Sequence, residues 1–391
     1  MTARRCASLT TCLLVLLSML LPVSCGEEQS GISGQPVAVK GLTFTERVPL
    51  QYADQFAIDR YEGGYSLIQV ADGEKYLLIP ENGSVPEGLD KSYRIIHKPA
   101  DNIYLAATAA MSLFDALDCG DRIRFSGTKP EDWYIPYARE AMERGDMLYA
   151  GKYREPDYEL LISEGCRLSV QSTMIGHNPE VREKLTELGI TVFVDHSSYE
   201  AHPLGRCEWI KVYGEMTDCR ESAQALFEKQ AAFLREVGEK SAMGRTVAFF
   251  YISSSGQAVT RRSGDYVNRM ITLAGGENIF KQTDGDSGGT STVQMEMEQF
   301  YATAKDADII LYNNNIGRDV ESLDDLIAKN RFLADFKAVK KGDVWCTGQN
   351  LFQETMKTGE IISDFHVVFS GEYKENPPKY LTRLKKGGGQ A

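Results

Sequence analysis

Apolar strands alternate with helical stretches twice along this chain of 391 residues, with one helical run between the two series, and that pattern limits the fold more than any other feature. In the first series, strands are expected at Arg94 to His97, Arg122 to Ser126, Leu168 to Gln171 and Thr191 to Asp195. Helices fall between them at Asn102 to Leu117, with an apolar face at Leu105, Ala109, Leu113 and Leu117, and at Pro179 to Leu188. In the second, strands at Thr246 to Ile252, Asp308 to Tyr312 and Asp343 to Cys346 alternate with helices at Asp265 to Ala274, Gln294 to Lys305 and Glu354 to Phe369. Such alternation builds parallel sheets flanked by helices. The separating run is strongest from Glu221 to Val237, where Ala223, Leu226, Phe227, Phe233, Leu234 and Val237 recur near the helical period; Gly214 is expected to break it near its start. The expected class is α/β: two parallel or mixed-sheet lobes with flanking helices joined by one long α-helix. One helix resists hinge bending, so the cleft between such lobes changes little in width.

The N-terminus divides differently. Arg4 and Arg5 precede an apolar run from Leu13 to Leu21 that ends in Val23-Ser24-Cys25-Gly26, the order of parts in a secretory signal. The run is shorter than the ~20 residues of a membrane-spanning helix. Cys25 directly after the cut resembles the lipid-modified cysteine of bacterial lipoproteins, although Pro22 stands where such sites usually carry leucine. Residues 1–24 are thus expected to be a signal peptide and 25–38 a polar, glycine-rich, lipidated tether that leaves the protein outside the cell membrane and anchored to it. Residues 39–91 hold short alternating runs separated by Gly63-Gly64, Asp72-Gly73 and Asn82-Gly83, the signature of hairpins in a small β-rich segment. The remaining expected units are an N-terminal lobe (92–204), the linking helix (205–239) and a C-terminal lobe (240–391).

A net charge of -12 spread over mixed-sign surfaces repels phosphate backbones and excludes nucleic acid as a partner. Of eight cysteines, Cys6 and Cys12 leave with the signal and Cys25 carries lipid. Cys119, Cys166, Cys207, Cys219 and Cys346 form no CxxC pair, so neither a disulfide framework nor a structural zinc site is indicated. Burial as small apolar groups is the favoured reading, with one bridge within residues 119 to 219 left open.

The segment Ser197-Ser198-Tyr199-Glu200-Ala201-His202-Pro203-Leu204-Gly205-Arg206-Cys207-Glu208-Trp209-Ile210-Lys211 resembles the substrate-binding lipoproteins of ABC importers for iron-siderophore, haem and cobalamin. The resemblance covers roughly residues 92 to 370. It implies two α/β lobes bridged by a long helix, and a monomer that binds a small-molecule metal chelate between them. It also implies a membrane permease with a cytoplasmic ATPase as partner, no intrinsic cofactor or resident metal, and no enzymatic activity. In that family each lobe carries one surface glutamate that docks onto permease arginines. Asp157-Tyr158-Glu159-Leu160-Leu161-Ile162 and Met297-Glu298-Gln299-Phe300 match those positions, which makes Glu159 and Glu298 the docking candidates.

Ligands of open α/β sheets sit beyond the carboxyl ends of the strands. That rule selects Trp133, Tyr134, Tyr153, Arg154, Met174, His177, His196 and Tyr199 in the first lobe and Tyr251, Arg261 and Arg262 in the second. Aromatics beside guanidinium groups suit a large conjugated or catecholate ligand with peripheral negative charge. Two alternatives are weaker. A free zinc or manganese carrier needs imidazoles from both lobes, and the second lobe offers only His366. Gly285-Asp286-Ser287-Gly288-Gly289 spells the nucleophile sequence of trypsin-like serine hydrolases, yet no histidine stands in the setting that chemistry requires.

Overall fold

The computed structural model describes residues 32, 34–238, 243–280, 291–317 and 320–387. The expected signal, most of the tether, Cys25 and Ser287 lie outside the described residues. The architecture is mixed α/β, with three principal sheets flanked by helices, as the sequence pattern implies.

The N-terminal sheet has the order β1-β2-β3-β4-β5. Its strands are β1 (Phe44–Arg47), β2 (Phe56–Tyr61), β3 (Ser66–Val70), β4 (Lys75–Ile79) and β5 (Tyr93–His97). Gly63 and Gly64 adopt φ of 74° and 84° in the β2–β3 turn, and Gly73 adopts 87° in the next, conformations that a Cβ disfavours. β5 corrects one expectation. The strand at Arg94 to His97 pairs in parallel with β4, Leu77 opposite Ile95, and so completes the N-terminal sheet rather than opening the first lobe. The strand that does so is β6 (Ile103–Leu105), within the stretch expected to be helical. All three of its residues are fully buried, the continuous apolar run of a strand covered on both faces. The helix proper begins only at Met111.

The first lobe's sheet runs β12-β11-β6-β7-β8, all parallel. It adds β7 (Ile123–Ser126), β8 (Leu148–Tyr149), β11 (Leu168–Ser172) and β12 (Thr191–Asp195), with a separate hairpin of β9 (Gly151–Lys152) and β10 (Glu155–Pro156). In the second lobe, β13 (Arg245–Ile252), β17 (Ile309–Tyr312) and β18 (Val344–Thr347) form a parallel centre. β14 (Ala258–Arg261) and β16 (Thr292–Met295) pair antiparallel on one side, and β19 (Leu381–Arg383) on the other. β15 (Gly276–Asn278) pairs with the start of β13. Part of the expected helix at Gln294 to Lys305 is therefore β16, and the helix is Met297–Ala304.

The linking run is divided into helices Pro203–Glu208, Ile210–Met216 and Arg220–Gly238, with Asp218 at φ 59° in the second corner. Gly214 lies inside the middle helix and does not break it. A Cβ there would stand 2.5 Å from the Ala223 Cβ, so glycine is what lets two successive helices pack closely. The long helix is joined to the second lobe by Gln230, whose Oε1 accepts the Gly359 N–H at 3.0 Å while its amide nitrogen donates to Glu360 at 3.1 Å. One apolar core runs from Phe56 and Tyr76 through Phe193, Trp209 and Phe227 to Phe249 and Phe365, so the N-terminal sheet, linking helices and both lobes share it.

Three buried carboxylates fasten the N-terminal sheet to this linker. Glu208 accepts the backbone N–H groups of Gln51, Tyr52 and Ala53 at 2.8–3.0 Å and the Lys211 ammonium at 2.7 Å. Glu200 accepts the N–H groups of Asp54 and Gln55 and the Trp209 indole. Glu215 meets Arg60 at 3.0 Å, Arg220 at 2.6 Å and the Ser66 hydroxyl. Removing one partner from such a cluster leaves a buried charge unpaired, at a cost of about 3–5 kcal/mol.

Glu200 and His202 titrate in opposite senses. Burial raises the Glu200 carboxyl to about 7 against the pull of its donors, and burial, aided by Arg269, lowers the His202 imidazole to about 4. Folded Glu200 keeps a proton that the unfolded chain has lost, so its contribution to stability weakens as pH rises from 4.5 to about 7. His202 stays neutral where the unfolded chain is charged, so its contribution strengthens as pH rises from about 4 to 6.5. Relative to wild type, Glu200→Gln should gain stability with rising pH across this window and His202→Asn should lose it, measured by urea unfolding at several pH values. Parallel stability–pH curves for all three proteins would contradict this assignment.

Candidate functional site between the lobes

A cavity of about 290 Å³ lies where the carboxyl ends of the parallel strands of both lobes converge. Ala107, Thr108 and Ala109 follow β6, Ser172 ends β11, and Asp195, Ser197 and Ser198 end or follow β12. Across the gap, Asn315 follows β17, and Phe352 and Gln353 follow β18; Arg206 projects from the first linking helix. This is the position that strand direction dictates for a ligand site, shared here by two sheets.

Hydrogen bonds fix much of its wall. Gln353 crosses between lobes: its Oε1 accepts the Tyr134 N–H at 2.8 Å and its amide nitrogen donates to the Asp132 carbonyl at 2.8 Å. Nearby, the Met356 N–H reaches the Ser112 hydroxyl at 3.1 Å. The Asp195 carboxylate accepts the Ser197 N–H at 2.7 Å and the buried Tyr213 hydroxyl, which holds the β12 loop in place.

Arg206 differs from these groups. Its guanidinium stacks 4.0 Å above the Tyr266 ring and makes no ion pair with any described residue. Asp265, which feels its charge, caps the Tyr266–Leu273 helix through the Val267 N–H and already faces Arg261 at 3.5 Å. Arg261 in turn sits 4.6 Å from the Phe352 ring. The site thus combines a guanidinium that makes no ion pair with any described residue, the Asp195 carboxylate, and hydroxyl and amide groups from both lobes, a set able to hydrogen-bond a small molecule.

The candidates chosen from sequence distribute unevenly around this cavity. Trp133 is fully buried, its indole donating to the Ser126 hydroxyl at 3.0 Å, and it belongs to the core rather than the cleft. Tyr134 joins the interlobe clasp through its backbone. Tyr153 and Arg154 lie in the β9–β10 turn, outside the cavity lining, because the hairpin carries the chain away from the end of β8. Met174 and Tyr199 are exposed, 46% and 62%, on the loops whose Ser172 and Ser198 line the cavity. His177 is exposed beside them without reaching the lining, and His196 is held by Asp72 at 3.2 Å. Tyr251 packs on the second lobe's core. Arg261 stands behind Phe352, and Arg262 accepts the Asn268 amide through its carbonyl, so neither lines the cavity directly. Glu159 and Glu298 are both exposed in the first turns of helices Tyr158–Ser163 and Met297–Ala304, one on each lobe.

Thr108, Ser172, Ser197, Ser198, Arg206, Asn315, Phe352 and Gln353 escaped selection. The carboxyl-end rule contained the signal for most of them. It was applied to aromatic and charged residues and not to small hydroxyls, and only to the first strand of the second lobe.

The histidines have other tasks. His202 accepts the Leu204 N–H and stacks on Tyr52, and His366 bonds the Ala274 carbonyl. Among the described residues no group of three His, Cys, Asp or Glu side chains is placed to hold a metal ion, so the free-metal alternative has no donor set there.

The sequence profile of periplasmic binding proteins matches residues 113–351. This chain belongs to that family. Two lipoproteins of Methanocaldococcus jannaschii, both named as uncharacterized, are 26% and 25% identical; the alignments cover 87% and 75% of this chain and 85% and 75% of theirs. Solved structures share the fold at lower identity. The periplasmic haem-binding protein of Vibrio cholerae aligns at 18% identity, with a TM-score of 0.54 over 67% of this chain and 96% of its own. The vitamin B12-binding protein of the same organism gives 19%, 0.51, 71% and 99%. An Fe3+-hydroxamate transport protein of Saccharomonospora viridis gives 18%, 0.51, 68% and 92%. Periplasmic binding proteins of this fold hold their lobes across a cleft, and here Gln353 closes one side of it. Gln353→Ala should speed amide exchange at Tyr134 about tenfold without abolishing cooperative unfolding, as read by hydrogen exchange; unchanged exchange would mean that the clasp does not hold the lobes.

Proposed function

We propose that this periplasmic binding protein is the extracytoplasmic, lipid-anchored substrate-binding component of an ABC importer, and that it captures an anionic metal chelate in the interlobe cavity without transforming it. The observation that carries the reading is the Arg206 guanidinium, stacked on Tyr266 and without an ion pair among the described residues, at a cavity with hydroxyls and amides contributed by both lobes. The structural neighbours that bind haem and vitamin B12, and the Fe3+-hydroxamate transport protein, support a metal-chelate ligand. A volume of about 290 Å³ stands at the lower end of small-molecule sites and favours a compact ferric chelate over a corrinoid.

In this reading, Arg206 engages the ligand's negative charge. Ser197, Ser198, Thr108, Asn315 and Gln353 accept or donate around it, and Phe352 covers an apolar edge. Met174 and Tyr199 meet whatever part of the ligand projects from the mouth. Glu159 and Glu298 dock the loaded protein onto permease arginines, and the energy comes from the cytoplasmic ATPase. Cys25 carries the lipid that keeps the protein at the membrane.

Calorimetric titration with a ferric tris-catecholate, haemin and cobalamin tests the ligand class: the anionic ferric chelate should bind, and Arg206→Ala should weaken it about 10- to 100-fold, the loss of one charged hydrogen-bonding partner. Alanine at Tyr153 should leave the affinity unchanged. Binding of none of the three, or binding indifferent to Arg206, would overturn the proposal. The Glu159→Ala/Glu298→Ala double variant should keep its ligand affinity and lose stimulation of the transporter ATPase in vesicles; full stimulation would remove the docking role.

A further inference from the structure

Cys119 and Cys219 are 100 residues apart in sequence, yet their sulfur atoms lie 3.2 Å from each other. We infer that these two thiols form a disulfide in the exported protein, fastening the first lobe to the corner of the linking helices.

The sequence left one bridge within residues 119 to 219 open; the fold selects the pair. Cys166, Cys207 and Cys346 are each buried, and each directs its thiol to a backbone carbonyl, of Leu168, Thr355 and Val320 respectively. Cys119 lies at the start of the turn Gly120–Arg122, just after the Met111–Ala116 helix, and Cys219 lies just before Arg220–Gly238. Both stand on backbone with little freedom. A Cβ on Gly120 would fall 2.2 Å from the Tyr137 ring, so the chain beside Cys119 is pressed under that side chain. A Cβ on Gly214 would fall 3.1 Å from the Cys219 carbonyl, and Lys98 holds the neighbouring Asp218 at 2.9 Å. Closing the sulfur separation to the ~2.05 Å of a disulfide takes a movement of about 1 Å, within the reach of two side-chain rotations.

Access sets the order of the chemistry. Cys219 is half-buried, whereas Cys119 is enclosed and its thiol is raised to about 11 by burial and by the bond to Cys219. The Cys219 thiolate attacks the disulfide of an oxidant, such as oxidised glutathione or a disulfide-donating oxidoreductase, and releases one thiolate from it. Cys119 then loses its proton and displaces the second sulfur. Two thiols are oxidised to one disulfide while one disulfide of the oxidant becomes two thiols, so electrons and protons balance.

The inference rests on the extracytoplasmic location, where disulfides persist, and not on the identity of the ligand. The full chain is treated with oxidised glutathione, quenched with N-ethylmaleimide and digested without reductant. The expected product is a peptide pair joining residues 119 and 219, 2 Da lighter than the separate thiols, with Cys166, Cys207 and Cys346 alkylated after denaturation. Reduction should lower the melting temperature of the wild type by about 5 °C and leave that of Cys219→Ser unchanged, a difference that loss of packing alone does not produce. Free thiols at both positions after oxidation, or an equal response to reductant in the two proteins, would overturn the inference. Ligand titration of the oxidised and reduced protein reports separately on the binding function.

Discussion

The packing of three successive helices between two sheets and a third is the constraint on which the rest of this molecule depends. Residues 203–238 supply only Arg206 to the cavity lining, yet they pack against both lobes that form it. Their apolar faces enter the core of both lobes, and their acids at 208 and 215, with Glu200 just before them, hold the N-terminal sheet. A linker buried on several sides cannot bend without exposing that core. Burial of the linker thus adds to helix stiffness as a resistance to bending between the lobes.

That arrangement gives a physical role to the N-terminal β-rich segment, which sequence alone left without one. Gln51 to Gln55 present five backbone N–H groups to the linker, and Glu208 and Glu200 accept them. Each carboxylate is stabilised by donors that the N-terminal segment supplies, and the segment's own orphan amides are satisfied in return. Tyr76 adds a hydroxyl donated to the Val192 carbonyl in β12. The sheet acts as a buttress for the lobe whose β12 loop bears Asp195, Ser197 and Ser198.

Much of this was legible in the sequence because the pattern was strong. The core strands at 123–126, 168–172, 191–195, 245–252 and 309–312 are apolar runs bounded by polar turns, and their number and order follow from periodicity. The errors have physical causes. Ile103–Leu105 looked like the first turn of a helix because Leu105 is spaced from Ala109 and Leu113 as a helical face would be, whereas burial on both sides makes it a strand. Arg94 to His97 pairs with a strand of the earlier sheet, a long-range choice that local pattern does not encode. At the site, the position was readable from strand direction, but the occupants were not. Bulky aromatics drew attention, and Trp133 proved to be core, while serines and a glutamine with ordinary sequence neighbours form the wall. Arg206 stood inside the segment that carried the family resemblance and was passed over because it sits on a helix rather than after a strand.

In the proposed function the ligand is held in the interlobe cavity against Arg206. A crystal structure of the protein carrying the ligand it retains from its native host decides the matter. Ligand density is expected between Arg206 and Gln353, with an acidic group of the ligand within hydrogen-bond distance of the guanidinium. Density confined to another surface, such as the groove beside Asn268 and Arg269, with the interlobe cavity holding only solvent, would contradict it.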